Sequence, residues 1–280
     1  MKTRKSSPAR IKKLANIKKQ RGKYPILAER IVHMSDIILE ILDARFITET
    51  RNFEIENQIK AENKRIIYVC NKTDLIDMKK INKEKIALSP KVFVSCKKKR
   101  GIKELRNKIK ILATKVEKPV DNLFDKVIVG VVGYPNSGKS SIINLLIGKK
   151  TAGTATEAGF TKGIQKIKLT KEIQLLDSPG IIPRKEYSGS KQRAISKHTK
   201  LSARSYSQVK NPEIIVSDLM NEFPSFFEDF YKIEAKGDSE MLIEELGKQK
   251  NFLKKGNLVD EDKTARFIIR DWQEGKIRIE

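Results

Sequence analysis

"KVIVGVVGYPNSGKSS", residues 126 to 141, runs from a β-branched stretch through a glycine-bearing turn into the apolar segment "IINLLI". Its centre, Gly133 to Ser140, fits the pattern G-x-x-x-x-G-K-[ST] with the two flanks that pattern needs: a strand before it and a helix after it. The glycines let the backbone wrap closely around phosphate oxygens. At the helix N-terminus the amides around Ser137, Gly138, Lys139, Ser140 and Ser141 can point at negative charge. Lys139 is the residue to neutralise β and γ phosphates, and the Ser140 hydroxyl the one to ligate magnesium.

Two further stretches fit the same site. "LLDSPG" (175 to 180) ends another strand-like run; Asp177 can hold magnesium through water, and the Gly180 amide can touch a γ-phosphate and so sense its presence. "NKTDL" (71 to 75) follows the strand-like "RIIYVC" and has the groups to read guanine. Asp74 can accept hydrogen bonds from the N1 and N2 hydrogens, Asn71 can fix the pocket, and the Lys72 stem can cover the base. Adenine would leave the desolvated carboxylate unpaired, a discrimination of roughly 10⁴-fold. "VSCKKKRG" (94 to 101) then supplies Ser95, Cys96 and Lys97 as a loop whose amides can contact the guanine carbonyl oxygen.

The order is unusual. The base-reading segment precedes the phosphate-binding one by 62 residues, whereas ordinary GTPases run the other way. A circular permutation accounts for this, because ligands bind at the carboxyl ends of strands in an open α/β sheet whatever the connectivity.

Short β-branched runs at 37 to 42, 65 to 70, 91 to 95, 126 to 133 and 172 to 177 alternate with helix-period stretches near 51 to 63, 78 to 88, 101 to 117 and 138 to 148. That rhythm predicts an α/β fold: a parallel-dominated sheet with helices on both faces, here a permuted P-loop GTPase fold. From about Tyr187 the strand signals stop. The expected helices are "NPEIIVSDLMNEFPSFFEDFYKI" with a stop at Gly237, "SEMLIEELGKQKNF", and "DEDKTARFIIRDWQEGKI" closed by Gly275, a small C-terminal helical domain. The expected division is a basic arm at 1–25, the GTPase domain at 26–186, and a switch-linked basic segment with the helical domain at 187–280.

The formal charge of +24 is unevenly placed. Residues 1 to 28 carry ten Lys/Arg and no acid, residues 97 to 118 ten against two acids, and residues 184 to 210 eight against one, while the last seventy residues carry eleven against sixteen. Segregated blocks of this size point to a polyanion-binding face. Only Cys70 and Cys96 occur, without metal-ligand spacing, so no zinc site is expected and both should pack as small apolar side chains. No apolar run approaches a membrane span, so the expectation is a cytoplasmic protein without a membrane partner. His33 is expected in helix packing, His198 in a solvated or phosphate-contacting position with a catalytic helper as the alternative, and Trp272 in the core. Lys263, Arg266 and Arg270, at helical spacing, could form one basic stripe.

"DAR" (43 to 45) with "TRN" (50 to 52), "NKTDL", "GYPNSGKSS", "GFTKG" (159 to 163), "DSPGI" and the tail "KGNLVDEDKTARFIIRDWQEGKI" together resemble the circularly permuted GTPases of the YlqF/YawG family, which act in assembly of the large ribosomal subunit. The resemblance implies GTP and GDP as ligands, magnesium and potassium as ions, and the large subunit or its precursor, through its rRNA, as partner. It places Thr161 as the switch threonine that closes on magnesium, with Thr154 and Thr156 as rivals for that role. Asn136 would bind a potassium ion that assists catalysis, beside Lys139 and Gly180. Ile181 stands where other GTPases keep a water-orienting glutamine, which implies slow intrinsic hydrolysis. Two other readings stay open at this level: a GTPase of tRNA modification or protein targeting, and a structural RNA-binding protein whose nucleotide site does not hydrolyse.

Overall fold

The computed structural model describes residues 26–79, 87–117, 126–148, 164–183, 186 and 191–279. Six strands form one sheet: β1 (Ile37–Asp43), β2 (Arg65–Asn71), β3 (Lys91–Phe93), β4 (Val127–Gly133), β5 (Gln165–Lys168) and β6 (Ile173–Asp177). Their spatial order is β3-β2-β1-β4-β6-β5, every neighbouring pair parallel except β5 with β6. The chain thus winds outward in one direction through β1, β2 and β3, then restarts at β4 beside β1 and winds the other way. The crevice beside such a reversal is where ligands bind in open α/β sheets. The register sets the ends level: Ile41 lies opposite Gly133, Asp43 opposite Asn71, and Val131 opposite Asp177.

The alternation of side chains along the strands feeds both faces. Ile37, Leu39 and Ile41 of β1 with Val129 and Val131 of β4 pack on one face under α3 (Ile102–Ala113) and α4 (Lys139–Ile147). Ile38 and Val132 pack on the other, against residues 26–34 and α2 (Phe53–Ala61). The Asn52 side chain caps α2 by accepting from the Ile55 amide at 3.2 Å. A short helical turn, α1 (Ile47–Thr50), links β1 to α2. Cys70 is buried and Cys96 half-buried among apolar neighbours, which raises both thiols to about 12 and keeps them neutral. β5 is the strand that alternation did not announce: its "QKIK" buries only Ile167, because it is an edge strand. The helix expected near 78 to 88 lies mostly outside the described residues.

After the sheet come α5 (Lys191–Lys200), α6 (Pro212–Glu222), α7 (Pro224–Tyr231), α8 (Ser239–Gln249) and α9 (Glu261–Gln273). The single helical run expected over 211–233 is two helices. Pro224 lacks an amide hydrogen and its ring excludes a continuing helix, so α6 ends at Glu222 and Pro224 opens α7. α7 stops at a left-handed Lys232 rather than at Gly237. The end of α9 is as expected, with Gly275 and Lys276 amides folding back on the Trp272 and Asp271 carbonyls. Asp238 and Asp260 cap α8 and α9.

These helices share a core that also takes in Phe46 and Tyr134 from the sheet side. Trp272 is fully buried at its centre, stacked on Phe223 and Phe227 with centroids 5.4 and 5.5 Å away, and its indole N–H donates to the Lys200 carbonyl at 3.0 Å. Trp272→Ala should cost about 3–5 kcal/mol, read as a lowered midpoint in denaturant with an unchanged slope. A change within ~0.5 kcal/mol would contradict the central place given to this ring.

Candidate nucleotide site

The phosphate-binding segment leaves β4 at Gly133 and enters α4 at Lys139. Gly138 sits at φ +99°, and a Cβ there would lie 2.2 Å from the Asn71 amide nitrogen, so only glycine fits. Lys139 is buried, its ammonium donating to the carbonyls of Gly133 at 3.2 Å and Tyr134 at 2.8 Å. Burial brings its pKa down to about 8, with Asp177 acting in the opposite sense. At the end of β6, Asp177 is fully buried; Oδ2 accepts from the Ser140 hydroxyl at 2.9 Å and Oδ1 has no hydrogen-bond partner among the described residues. Burial raises this carboxyl above its ordinary value. A hydroxyl and a half-satisfied buried carboxylate form an oxygen pair suited to a hard divalent cation such as magnesium. Gly180 lies hard against the phosphate segment: an added Cβ would come within 2.4 Å of Pro135 Cα.

On the base side, Asn71 ends β2 and joins the two halves of the site. Its amide nitrogen donates to the Ser137 carbonyl at 2.8 Å, and its oxygen accepts from the Cys96 amide at 3.3 Å. Asp74 accepts from the Ser95 hydroxyl at 2.5 Å, and that hydroxyl accepts from the Lys98 amide at 3.0 Å. Lys72, at a left-handed φ of 67°, anchors its ammonium on Asp43 at 2.8 Å. Thus the structure brings together Asn71, Lys72, Asp74, Ser95, Cys96 and Lys97 at one end of the sheet beside Asn136, Ser137, Gly138, Lys139, Ser140, Ser141, Asp177 and Gly180. Thr161, with Thr154 and Thr156, lies outside the described residues, as do the basic arm and "GFTKG".

Four residues to which the motifs give no role, Asp43, Arg45, Tyr134 and Glu186, hold this arrangement in place. Asp43 ends β1 and is held by both Lys72 and a bidentate Arg45, which outweigh the cost of burial and keep its carboxyl well below the ordinary value. Arg45 in turn reaches the Trp272 carbonyl at 3.4 Å and lies over the Phe46 and Trp272 rings, linking the base-reading segment to α9. Tyr134, inside the phosphate-binding turn, donates to Glu186, which also receives Lys197 at 2.7 Å and lies 2.8 Å from His198 Nε2. The signals were an aromatic inside a turn and the lone acid in a basic run.

Several expected placements change. His198 is buried against Glu186 rather than solvated, because the carboxylate pairs its ring nitrogen. His33 is exposed, with Glu62 at 3.5 Å, rather than packed. Lys263, Arg266 and Arg270 make no open stripe: Lys263 lies over Phe252, Arg266 is bound to Asp262 and the Tyr206 carbonyl, and Arg270 lies over Phe267. Trp272 is core, as expected. Asn136, left-handed at φ 57°, donates its amide to the Ser202 carbonyl at 2.9 Å. Ile181 is buried with Val132 and Ile38, and its amide donates to the Gly133 carbonyl at 3.0 Å.

Burial opposes charge on Glu186, but hydrogen bonds from His198, Lys197 and Tyr134 outweigh it and hold the carboxyl down at about 2. A lowered acid pKa adds stability that is complete above the ordinary value near 4.5 and fades as pH falls toward 2. Glu186→Gln should therefore cost about 1–2 kcal/mol at pH 7 after solvent screening, a deficit that shrinks through that window in thermal melts. A pH-independent deficit would refute the charge-based account.

Residues 128–227 match the family described as 50S ribosome-binding GTPase. An uncharacterized GTP-binding protein of Methanocaldococcus jannaschii is 38% identical over 256 residues, covering 90% of this chain and 65% of that protein. The nucleolar GTP-binding protein 2 of Pneumocystis carinii is 33% identical over 89% of this chain and 51% of its own length. The chain thus spans between half and two thirds of these relatives. Among solved structures, GNP-bound YlqF from T. maritima superposes with a TM-score of 0.63 at 21% identity, covering 91% of this chain and 95% of that one. No helix among the described residues is long and apolar enough to cross a membrane. A sheet that restarts at β4, the Asn71–Leu75 segment ahead of the phosphate-binding turn, and the superposition on YlqF give this chain the circularly permuted P-loop GTPase fold.

Proposed function

We propose that this chain is a GTP-hydrolysing switch that assists assembly of the large ribosomal subunit by binding its RNA. The observation that carries the nucleotide half is Asn71: one side chain bridges the phosphate-binding turn and the base loop, so both halves are set for one ligand. The ribosomal half is supported by the relatives' names and by the segregated positive charge. Those names include "nucleolar", a compartment that the expected cytoplasmic placement did not cover.

In this reading Asp74 and the amides of Ser95, Cys96 and Lys97 select guanine, and Lys139 with the amides of Ser137 to Ser141 orders the phosphates. Ser140, Asp177 and Thr161 would hold magnesium, which supplies charge neutralisation at the β and γ phosphates. Gly180, in contact with Pro135, is set to register the γ-phosphate. Residues 26–186 form the nucleotide unit and 187–280 the part it moves. Tyr134–Glu186–His198 and Asn136–Ser202 tie the phosphate-binding turn to the tail, so displacing both contacts would uncouple that turn from the tail. Ile181 offers no group to orient water, which makes slow intrinsic hydrolysis the expectation. Asn136 would hold potassium through its side-chain oxygen, the nitrogen being engaged with Ser202.

Two assays test this. Sedimentation of the protein with large ribosomal subunits, with GTP analogue or GDP, should show nucleotide-dependent co-migration; none in either state would refute the ribosomal half. Phosphate release should be several-fold faster in potassium than in sodium, and Asn136→Ala should erase the difference. Equal rates in both salts would remove the potassium role.

A further inference from the structure

Among the described residues, the basic blocks at 97 to 118 and 184 to 210 do not offer equal charge to a partner. In the block after the sheet, Lys197 is bound to Glu186, and Lys200 to Glu49 and Glu222. In the tail, Arg266, Lys248 and Lys276 are each bound to neighbouring carboxylates. Lys97, Lys98, Lys99 and Arg100 are different: all four are exposed, and none has an acidic partner among the described residues. They are also not on a loose loop. Ser95 and Arg100 exchange both backbone hydrogen bonds, at 3.1 and 3.0 Å, and the Lys99 amide reaches the Cys96 carbonyl at 3.4 Å. Lys99 holds a left-handed φ of 53°, where glycine or asparagine sits more easily. The hairpin therefore presents four adjacent cations at fixed positions.

The root of the same hairpin is the base site, through Cys96 to Asn71 and Ser95 to Asp74. A cavity of about 700 Å³ has Asp74 and Ser95 in its wall together with Lys98, Arg100 and Arg278. Arg278 comes from the far end of the chain, brought there because the Ile279 amide donates to the Leu75 carbonyl at 3.2 Å. Cations from two segments thus line the same cavity as Asp74, with Asp77 as the other acid in its wall.

We propose that the hairpin of residues 95 to 100, with Arg278, is a phosphate-backbone docking point for the partner RNA, and that its occupancy locks the guanine loop and slows nucleotide release. This rests on the reading of the chain as an RNA-binding guanine nucleotide protein. RNA fits better than an acidic protein because contiguous unpaired cations gain by counterion release from a dense phosphate chain. A ligand that binds the ordered hairpin favours the conformation that also holds the base. Linkage makes the effect reciprocal: nucleotide must raise RNA affinity by the same factor as RNA raises nucleotide affinity, expected at about 5- to 50-fold.

The test uses the full chain, a 20-base-pair RNA duplex and fluorescent mant-GDP, comparing the unaltered protein with the combined variant Lys98→Gln, Lys99→Asn, Arg100→Gln. Lys97 is left in place because its amide belongs to the base loop. The expected results are slower mant-GDP release with RNA, an equal nucleotide-induced gain in RNA affinity, and loss of both in the variant. The salt slope of RNA binding should fall by about two, and mant-GDP affinity without RNA should hold. An unchanged salt slope, or RNA binding with no effect on release, would overturn the inference while leaving the nucleotide reading intact. Failure of the unaltered protein to bind mant-GDP would overturn both. If polyglutamate of matched charge reproduces the slowed release, the docking point is one for acidic protein and the RNA assignment is wrong.

Discussion

Asp74→Asn should weaken GTP binding by roughly 10³-fold and make xanthosine triphosphate the better ligand. The carboxylate loses two charge-assisted hydrogen bonds to N1 and N2 of guanine, each worth about 1.5–3 kcal/mol, and the new amide presents a donor where guanine also has donors. Xanthine carries a carbonyl at that position and so restores a partner. The substitution is a fair probe of recognition because the groups around it persist. Ser95 donates to Asp74 Oδ1 and can donate equally to an amide oxygen, while Asn71 holds the loop through Cys96 independently. Isothermal titration with both triphosphates checks it. A variant that loses both nucleotides would point to collapse of the loop, and one that keeps its GTP preference would mean that Asp74 does not read the base.

The permuted order and the chemistry of the two half-sites were legible because each motif is local: a strand end, a few fixed residue types, a helix start. Five strands could be read from β-branched runs for the same reason, whereas "QKIK" hides an edge strand that buries one side chain. The links between segments were not legible. Asp43 joins Lys72 and Arg45, and Arg45 joins Trp272, across 227 residues of chain; no spacing rule reports such a contact. The basic composition was also misleading at residue level. Net charge does not say which cations are already spoken for, and the stripe on α9 proved to be engaged with Asp262, Phe252 and Phe267 while the hairpin at 97 to 100 was not. His198 illustrates the same point in reverse, since a histidine in a basic run is solvated unless an acid such as Glu186 folds back on it.

Lys139→Ala should reduce triphosphate affinity by roughly 10³-fold, since the ammonium would contact two phosphate groups at about 1.5–3 kcal/mol each. It should leave the nucleotide-free protein as stable as before or more so, because that protein now carries a desolvated ammonium satisfied only by the Gly133 and Tyr134 carbonyls. The depressed pKa of about 8 gives the same point a second readout. Phosphate binding requires the charged form, so above pH 8 the free protein must take up a proton to bind. GTP affinity should then fall by about fivefold between pH 8 and pH 9, with proton uptake per nucleotide rising from about one half toward one, and Lys139→Ala should abolish that slope. Guanosine, which lacks phosphates, should bind with no such dependence. A pH-independent GTP affinity in the unaltered protein would mean that Lys139 is charged before nucleotide arrives. A steep loss of stability in Lys139→Ala without nucleotide would make the residue a structural one, held for the turn rather than for the ligand.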